Sequence, residues 1–119
     1  MLNRILLYAQ DVAETARFYE KHFGFNASQI PGDRIIELTT PDGGASIMLH
    51  AAAKGQRKGQ SSIKLVFDVK DVEAFCARCA ENGLKFGPIH LADGYSFANA
   101  KDPSLNPISV SSRAFRKRA

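Results

Sequence analysis

Three sets of residues in this 119-residue chain have types and spacing that could support chemistry. Cys76 and Cys79, its two cysteines, stand at Cys-x-x-Cys spacing, which suits a redox pair or half of a zinc site. His22, His50 and His90 are the side chains whose charge changes near neutral pH, and so the first candidates for proton transfer. Two basic segments, Lys54-Gly55-Gln56-Arg57-Lys58 and Arg113-Ala114-Phe115-Arg116-Lys117-Arg118, hold much of the net charge of +4 and could attract anions.

The elements that must carry these residues narrow the choice. Val72, Phe75, Cys76 and Cys79, closed by Gly83, follow the i, i+3, i+4, i+7 spacing of a helix, which puts both thiols on its buried stripe. A redox pair sits at a helix N-terminus, where the dipole lowers the thiol pKa; these two lie a turn or more inside, so they read as core. The basic segments read as solvated. Neither interleaves aromatics with its charges as a nucleic-acid module does, and no nucleic-acid partner is expected. His22 falls near a helix end and His90 in a loop-like stretch, where neither calls for a functional role.

The chain is written twice. Ile5 to Ala9 alternates as a strand, Asp11 stands as an N-cap, Val12, Ala16, Tyr19 and Phe23 make a helical stripe, and Gly24 stops it. Ile63 to Phe67, Asp71, the Val72 to Cys79 stripe and Gly83 repeat the order, with the two caps 60 positions apart. Three extended stretches follow each helix: Phe25 to Ile30, Arg34 to Thr39 and Ala45 to Ala51, then Leu84 to Phe86 continuing near Ile89, Tyr95 to Ala100 and Pro107 to Ser112. Thr40-Pro41-Asp42-Gly43-Gly44 and Asp102-Pro103-Ser104-Leu105-Asn106 make the last turn of each half. The fold class is therefore α+β, two tandem βαβββ units; the curved mixed sheet around a cleft, with helices on the outer face, is what the resemblance of these motifs to a known superfamily implies. One domain over 1–119 is expected, with unit one at about 1–53, a linker at 54–60, unit two at about 61–113 and a basic tail at 114–119.

In this order and spacing, Leu7-Tyr8-Ala9-Gln10-Asp11-Val12, Arg17-Phe18-Tyr19, Phe23-Gly24-Phe25, Val69-Lys70-Asp71-Val72 and Asp102-Pro103 through Asn106 resemble the vicinal-oxygen-chelate superfamily. That is the group of glyoxalase I, extradiol dioxygenases, fosfomycin-resistance enzymes and bleomycin-binding proteins, and the resemblance runs from Arg4 to Ser112. In its metal-dependent members a divalent ion is held by His, Gln or Glu from the first and last strand of each unit. The corresponding positions here are Arg4 and Lys64 in the first strands, Met48 and Ser109 in the last. Two cations, a thioether and a hydroxyl do not suit a hard divalent ion, so no metal and no cofactor are expected.

Strand alternation then gives the other side chains of the implied cleft: Leu6 and Tyr8 beside Arg4, Ser46 and His50 beside Met48, Val66 and Asp68 beside Lys64, and Ser111 beside Ser109. Arg4 and Lys64, with the hydroxyls of Tyr8, Ser109 and Ser111, could form an anion pocket; alternatively each pairs with a carboxylate such as Asp68 or Glu37. His50 and Asp68 are the cleft residues that could act as base or displaced metal ligand. The leading expectation is a binding protein for a small anionic or aromatic compound. The others are a lyase, isomerase or dioxygenase-type enzyme with a non-standard site, and a non-catalytic scaffold. The resemblance also implies a homodimer. No apolar run reaches the roughly 18 residues of a membrane span and no leader precedes the first strand, so a cytoplasmic protein without membrane contact is expected.

Overall fold

The computed structural model describes residues 2–57, 59–60 and 63–117; Lys58 of the expected linker and the last two residues of the expected tail lie outside them. The chain divides into two compact units, one of residues 1–60 with Asp102–Asn106, the other of residues 61–101 with 107–119.

The first unit opens with strand β1 (Arg4–Ala9) and helix α1 (Val12–Phe23). Asp11 caps α1 by accepting a 2.9 Å hydrogen bond from the Glu14 N–H, satisfying a donor that has no partner inside the helix. Gly24 ends it at φ 73°, a left-handed conformation that glycine adopts without steric cost, and its N–H closes on the Glu20 carbonyl. Strands β2 (Asn26–Ser28), β3 (Ile36–Thr39) and β4 (Ser46–Ala51) complete a sheet in the order β1-β4-β3-β2, with β1 and β4 parallel and the other pairs antiparallel. Ala9, Leu38, Ile47 and Leu49 are buried with Ala16 and Tyr19 of α1, so this face of the sheet is its core side.

The second unit repeats the plan with β5 (Leu65–Asp68), α2 (Val72–Glu81), β6 (His90–Leu91), β7 (Ser96–Lys101) and β8 (Pro107–Ser111), in the order β5-β8-β7-β6. Asp71 caps α2 through the Ala74 N–H. At its other end the Gly83 and Leu84 N–H groups close on the carbonyls of Ala80 and Cys79, with Gly83 at φ 91°. Leu65, Ala98, Ile108 and Val110 are buried with Val72 and Cys79. A 3-10 turn at Arg113–Phe115 follows β8.

Two local expectations change. Leu84 to Phe86 is not a strand: Leu84 and Phe86 are buried, but Gly87-Pro88 follows at once, and proline has no N–H to extend a ladder. The strand forms later, at His90–Leu91, so His90 is not in a loop. Cys79 is buried as expected whereas Cys76 is half-buried. Burial raises both thiol pKa values, with the neighbouring Cys79 adding to the rise at Cys76, which suits packing and opposes thiolate chemistry.

Candidate functional site

Each sheet turns one face toward its helix; the opposite faces carry the residues singled out by alternation. On the first, the register sets Arg4 beside Ser46, Leu6 beside Met48, Tyr8 beside His50, and Glu37 beside Met48 on the other side. These side chains share one face because paired residues in a sheet point the same way. Leu6 is 37% and Tyr8 48% exposed, so the row is an accessible apolar and aromatic strip rather than core. The Tyr8 and His50 rings meet edge to face, with centroids 5.9 Å apart.

Arg4 Nε donates to Glu37 Oε1 at 3.4 Å, a single exposed contact of the kind that contributes little to stability but compensates the charge. His50 Nδ1 lies 2.8 Å from the Ala51 carbonyl oxygen. A carbonyl can only accept, so Nδ1 carries the proton and Nε2 holds the lone pair in the neutral ring. His50 therefore presents an acceptor, or a base, on this face.

On the second sheet, Val66 stands beside Ser109 and Asp68 beside Ser111, with Asn99 and Phe97 completing the rows. Lys64, expected inside the strand, precedes β5, and its Nζ donates to Asn99 Oδ1 at 3.0 Å. The Ser109 hydroxyl donates to the Ala98 carbonyl at 3.0 Å, and Ser111 Oγ accepts from the Arg113 N–H at 3.1 Å. Ser109 and Ser111 are both buried, whereas Asp68 is exposed. His90 stacks on Phe97 at 5.0 Å, and Phe97 neighbours Tyr95 at 6.3 Å.

By the family resemblance, Arg4 with Met48 and Lys64 with Ser109 would stand at the metal-ligand positions. Arg4 and Met48 offer an ion-paired guanidinium and a thioether; Lys64 and Ser109 offer an ammonium and a hydroxyl whose proton is already given to a backbone carbonyl. Neither pair fits a hard divalent cation. Among the described residues no three His, Cys, Asp or Glu stand together in a way that could hold one.

A model of the Glyoxalase/Bleomycin resistance protein/Dioxygenase superfamily matches residues 1–110. The chain belongs to this superfamily. Solved structures agree on the fold. TnmS3, an antibiotic-binding protein from Streptomyces sp. CB03234, is 22% identical with a TM-score of 0.77, over 92% of this chain and 93% of its own. VPC_CASS1, from the mobile metagenome of V. Pseudocholerae, is 27% identical with a TM-score of 0.71, over 93% and 92%. A lactoylglutathione lyase from Agrobacterium tumefaciens is 17% identical with a TM-score of 0.71, again over 93% and 92%. No curated protein matches the chain. The βαβββ duplication expected from sequence is the architecture of this superfamily member, and no helix among the described residues is long and apolar enough to cross a membrane.

The register also reveals residues that alternation alone had not singled out. Asn99 is the partner of Lys64, in place of a carboxylate. Tyr95 and Arg113 lie opposite each other just beyond the paired ends of β7 and β8, and the Arg113 Nη1 group donates to the Tyr95 hydroxyl at 3.0 Å. The signal was present in the spacing from Phe97 and Ser111, two positions away on each strand, once those two were known to pair.

Proposed function

We propose that this superfamily member is a metal-independent binding protein for a small aromatic compound, held on the strand face that carries Arg4, Tyr8, Met48 and His50 in the first unit. The observation that supports this most directly is the strip of exposed Leu6 and Tyr8 with half-buried Met48 and His50, an apolar and aromatic row on one sheet face. An exposed ring and a half-buried thioether beside a fixed hydrogen-bond acceptor suit a planar ligand with a hydroxyl or amine to donate. The antibiotic-binding description of TnmS3 lends support by likeness of fold. Work in the cytoplasm as a homodimer belongs to the same proposal.

Elemental analysis of the purified protein, followed by calorimetric titration of the stripped protein with divalent metals and then with a panel of aromatic compounds, tests it. We expect no stoichiometric metal, saturable binding of at least one aromatic compound, and about tenfold weaker binding by Tyr8→Ala. Stoichiometric metal bound with micromolar affinity or better overturns the metal-independent reading. Failure of every aromatic compound to saturate overturns the binding reading.

His50 supports a second reading, an enzyme of lyase, isomerase or dioxygenase type, because its tautomer leaves Nε2 able to take a proton. In that case His50→Gln abolishes turnover of a bound compound while leaving its affinity within about threefold; under the leading reading no bound compound is converted.

A further inference from the structure

The anion pocket expected at Arg4 and Lys64 is answered by side chains of this fold: Glu37 compensates the first and the amide oxygen of Asn99 occupies the second. Two cations that share a single aromatic ring lie elsewhere, at the end of the second sheet. The guanidinium carbon of Arg113 is 5.2 Å and that of Arg116 5.6 Å from the Tyr95 ring centroid, so both charges gather on one ring. Among the described residues no carboxylate lies within ion-pair distance of either. The segment read from sequence as a solvated tail thus folds back: its 3-10 turn is held to β8 by the Arg113 N–H on Ser111 Oγ, and Arg113 is tied to Tyr95 by a side-chain hydrogen bond.

We infer that Arg113, Arg116 and Tyr95 form a site for the oxyanion of a small aromatic molecule, an aryl phosphate or aryl carboxylate. Two guanidinium groups share one ring with no carboxylate partner among the described residues, and an oxyanion that accepts from both would supply the missing charge. Guanidinium planes leaning on a ring keep their edge N–H groups for bidentate contact with phosphate or carboxylate. The aromatic part of the ligand follows from the row beyond. Tyr95 and Phe97 alternate along the same face, and His90 pairs with Phe97 across the ladder, so three rings run on from the charged end. A planar group attached to the oxyanion would lie along that row.

The site uses residues of the second sheet and none of the Tyr8–His50 strip, so it can fail while the reading above survives. Phenyl phosphate is the probe, with phenol and inorganic phosphate as its two halves, titrated calorimetrically into the full chain. We expect saturable binding of phenyl phosphate in the submillimolar range and at least about tenfold weaker binding of either half. Arg113→Gln with Arg116→Gln weakens phenyl phosphate by about tenfold or more. The charge-matched control Arg57→Gln with Lys85→Gln stays within about twofold. Arg113 is exposed and Arg116 half-buried, and the melting profile checks that the variant is folded. Phenyl phosphate binding that is absent up to 10 mM, unchanged in the arginine variant, or weakened equally by the control overturns the site; ~10 mM corresponds to negligible affinity. Inorganic phosphate binding as tightly as phenyl phosphate overturns the aromatic part.

Discussion

The two hairpin turns that precede the last strand of each repeat hold equivalent places and have opposite fates. Thr40 to Gly44, between β3 and β4, is largely exposed, and its side-chain hydrogen bonds run from the Gly44 N–H to Thr40 Oγ1 and Asp42 Oδ1, inside the turn itself. Asp102 to Asn106, between β7 and β8, buries Asp102 to 2% exposure and Ser104 to 4%. Asp102 accepts from the Ser104 and Asn106 N–H groups on one oxygen, and from the Tyr19 hydroxyl and the Asn106 amide on the other. Ser104 Oγ accepts from the Gln10 N–H and shares a hydrogen bond with the Thr15 hydroxyl of α1. Both turns contain a proline and an aspartate. What separates them is whether the carboxylate has donors enough to leave water, since a buried charge is tolerated only when its lone pairs are taken.

The sharpest way to break this contrast is to remove each aspartate. Asp102→Ala leaves four donors without their acceptor, and should cost about 3 kcal/mol in chemical denaturation. Asp42→Ala, on the exposed turn, should move the denaturation midpoint far less, although hydrogen bonds from Thr40 and the Gly44 N–H lower the Asp42 pKa locally. Equal losses from the two variants would refute the distinction. A smaller effect is expected for Tyr19→Phe. Burial, then the charge of Asp102 and its hydrogen bond, raise the Tyr19 hydroxyl far above the usual tyrosine range, so it stays a donor at every accessible pH. Its removal should cost about 1 kcal/mol, with no pH dependence traceable to tyrosine ionisation.

The smallest effect concerns the other side of α1. His22, placed by sequence near the helix end where a positive charge would suit the dipole, packs on Phe18 at 5.0 Å. Burial, and then the charge of Lys21, lower its pKa below its usual 6.5. The unfolded chain therefore takes up this proton first as pH falls. The corresponding stability is present above about pH 6.5 and is lost as pH drops through the lower folded value. His22→Gln should flatten that part of the stability profile; an unchanged profile would show that His22 does not contribute to it.

Much of this was legible in the sequence because it is locally encoded. Asp11 and Asp71 as caps, Gly24 and Gly83 as stops and the alternation of β1 and β4 depend on near neighbours, and all appear in the structure. Leu84 to Phe86 misled because apolar burial and strand pairing are separate properties, and Gly87-Pro88 allows the first without the second. For Arg4, Glu37 was one of two carboxylates the sequence offered. Asn99 for Lys64, and Tyr95 for Arg113, were not legible, because each depends on the register of β7 against β8, which no local pattern specifies.

The buried turn has a further consequence for the ancestry and handling of the molecule. A duplicated gene suggests halves that once stood alone, yet a fragment ending at Gln60 would lack the five-residue segment Asp102–Asn106 that completes its own unit. Its Tyr19 and Thr15 hydroxyls would lose their Asp102 and Ser104 partners. Severing the backbone between the repeats would therefore leave the first piece short of a loop that only the second could lend.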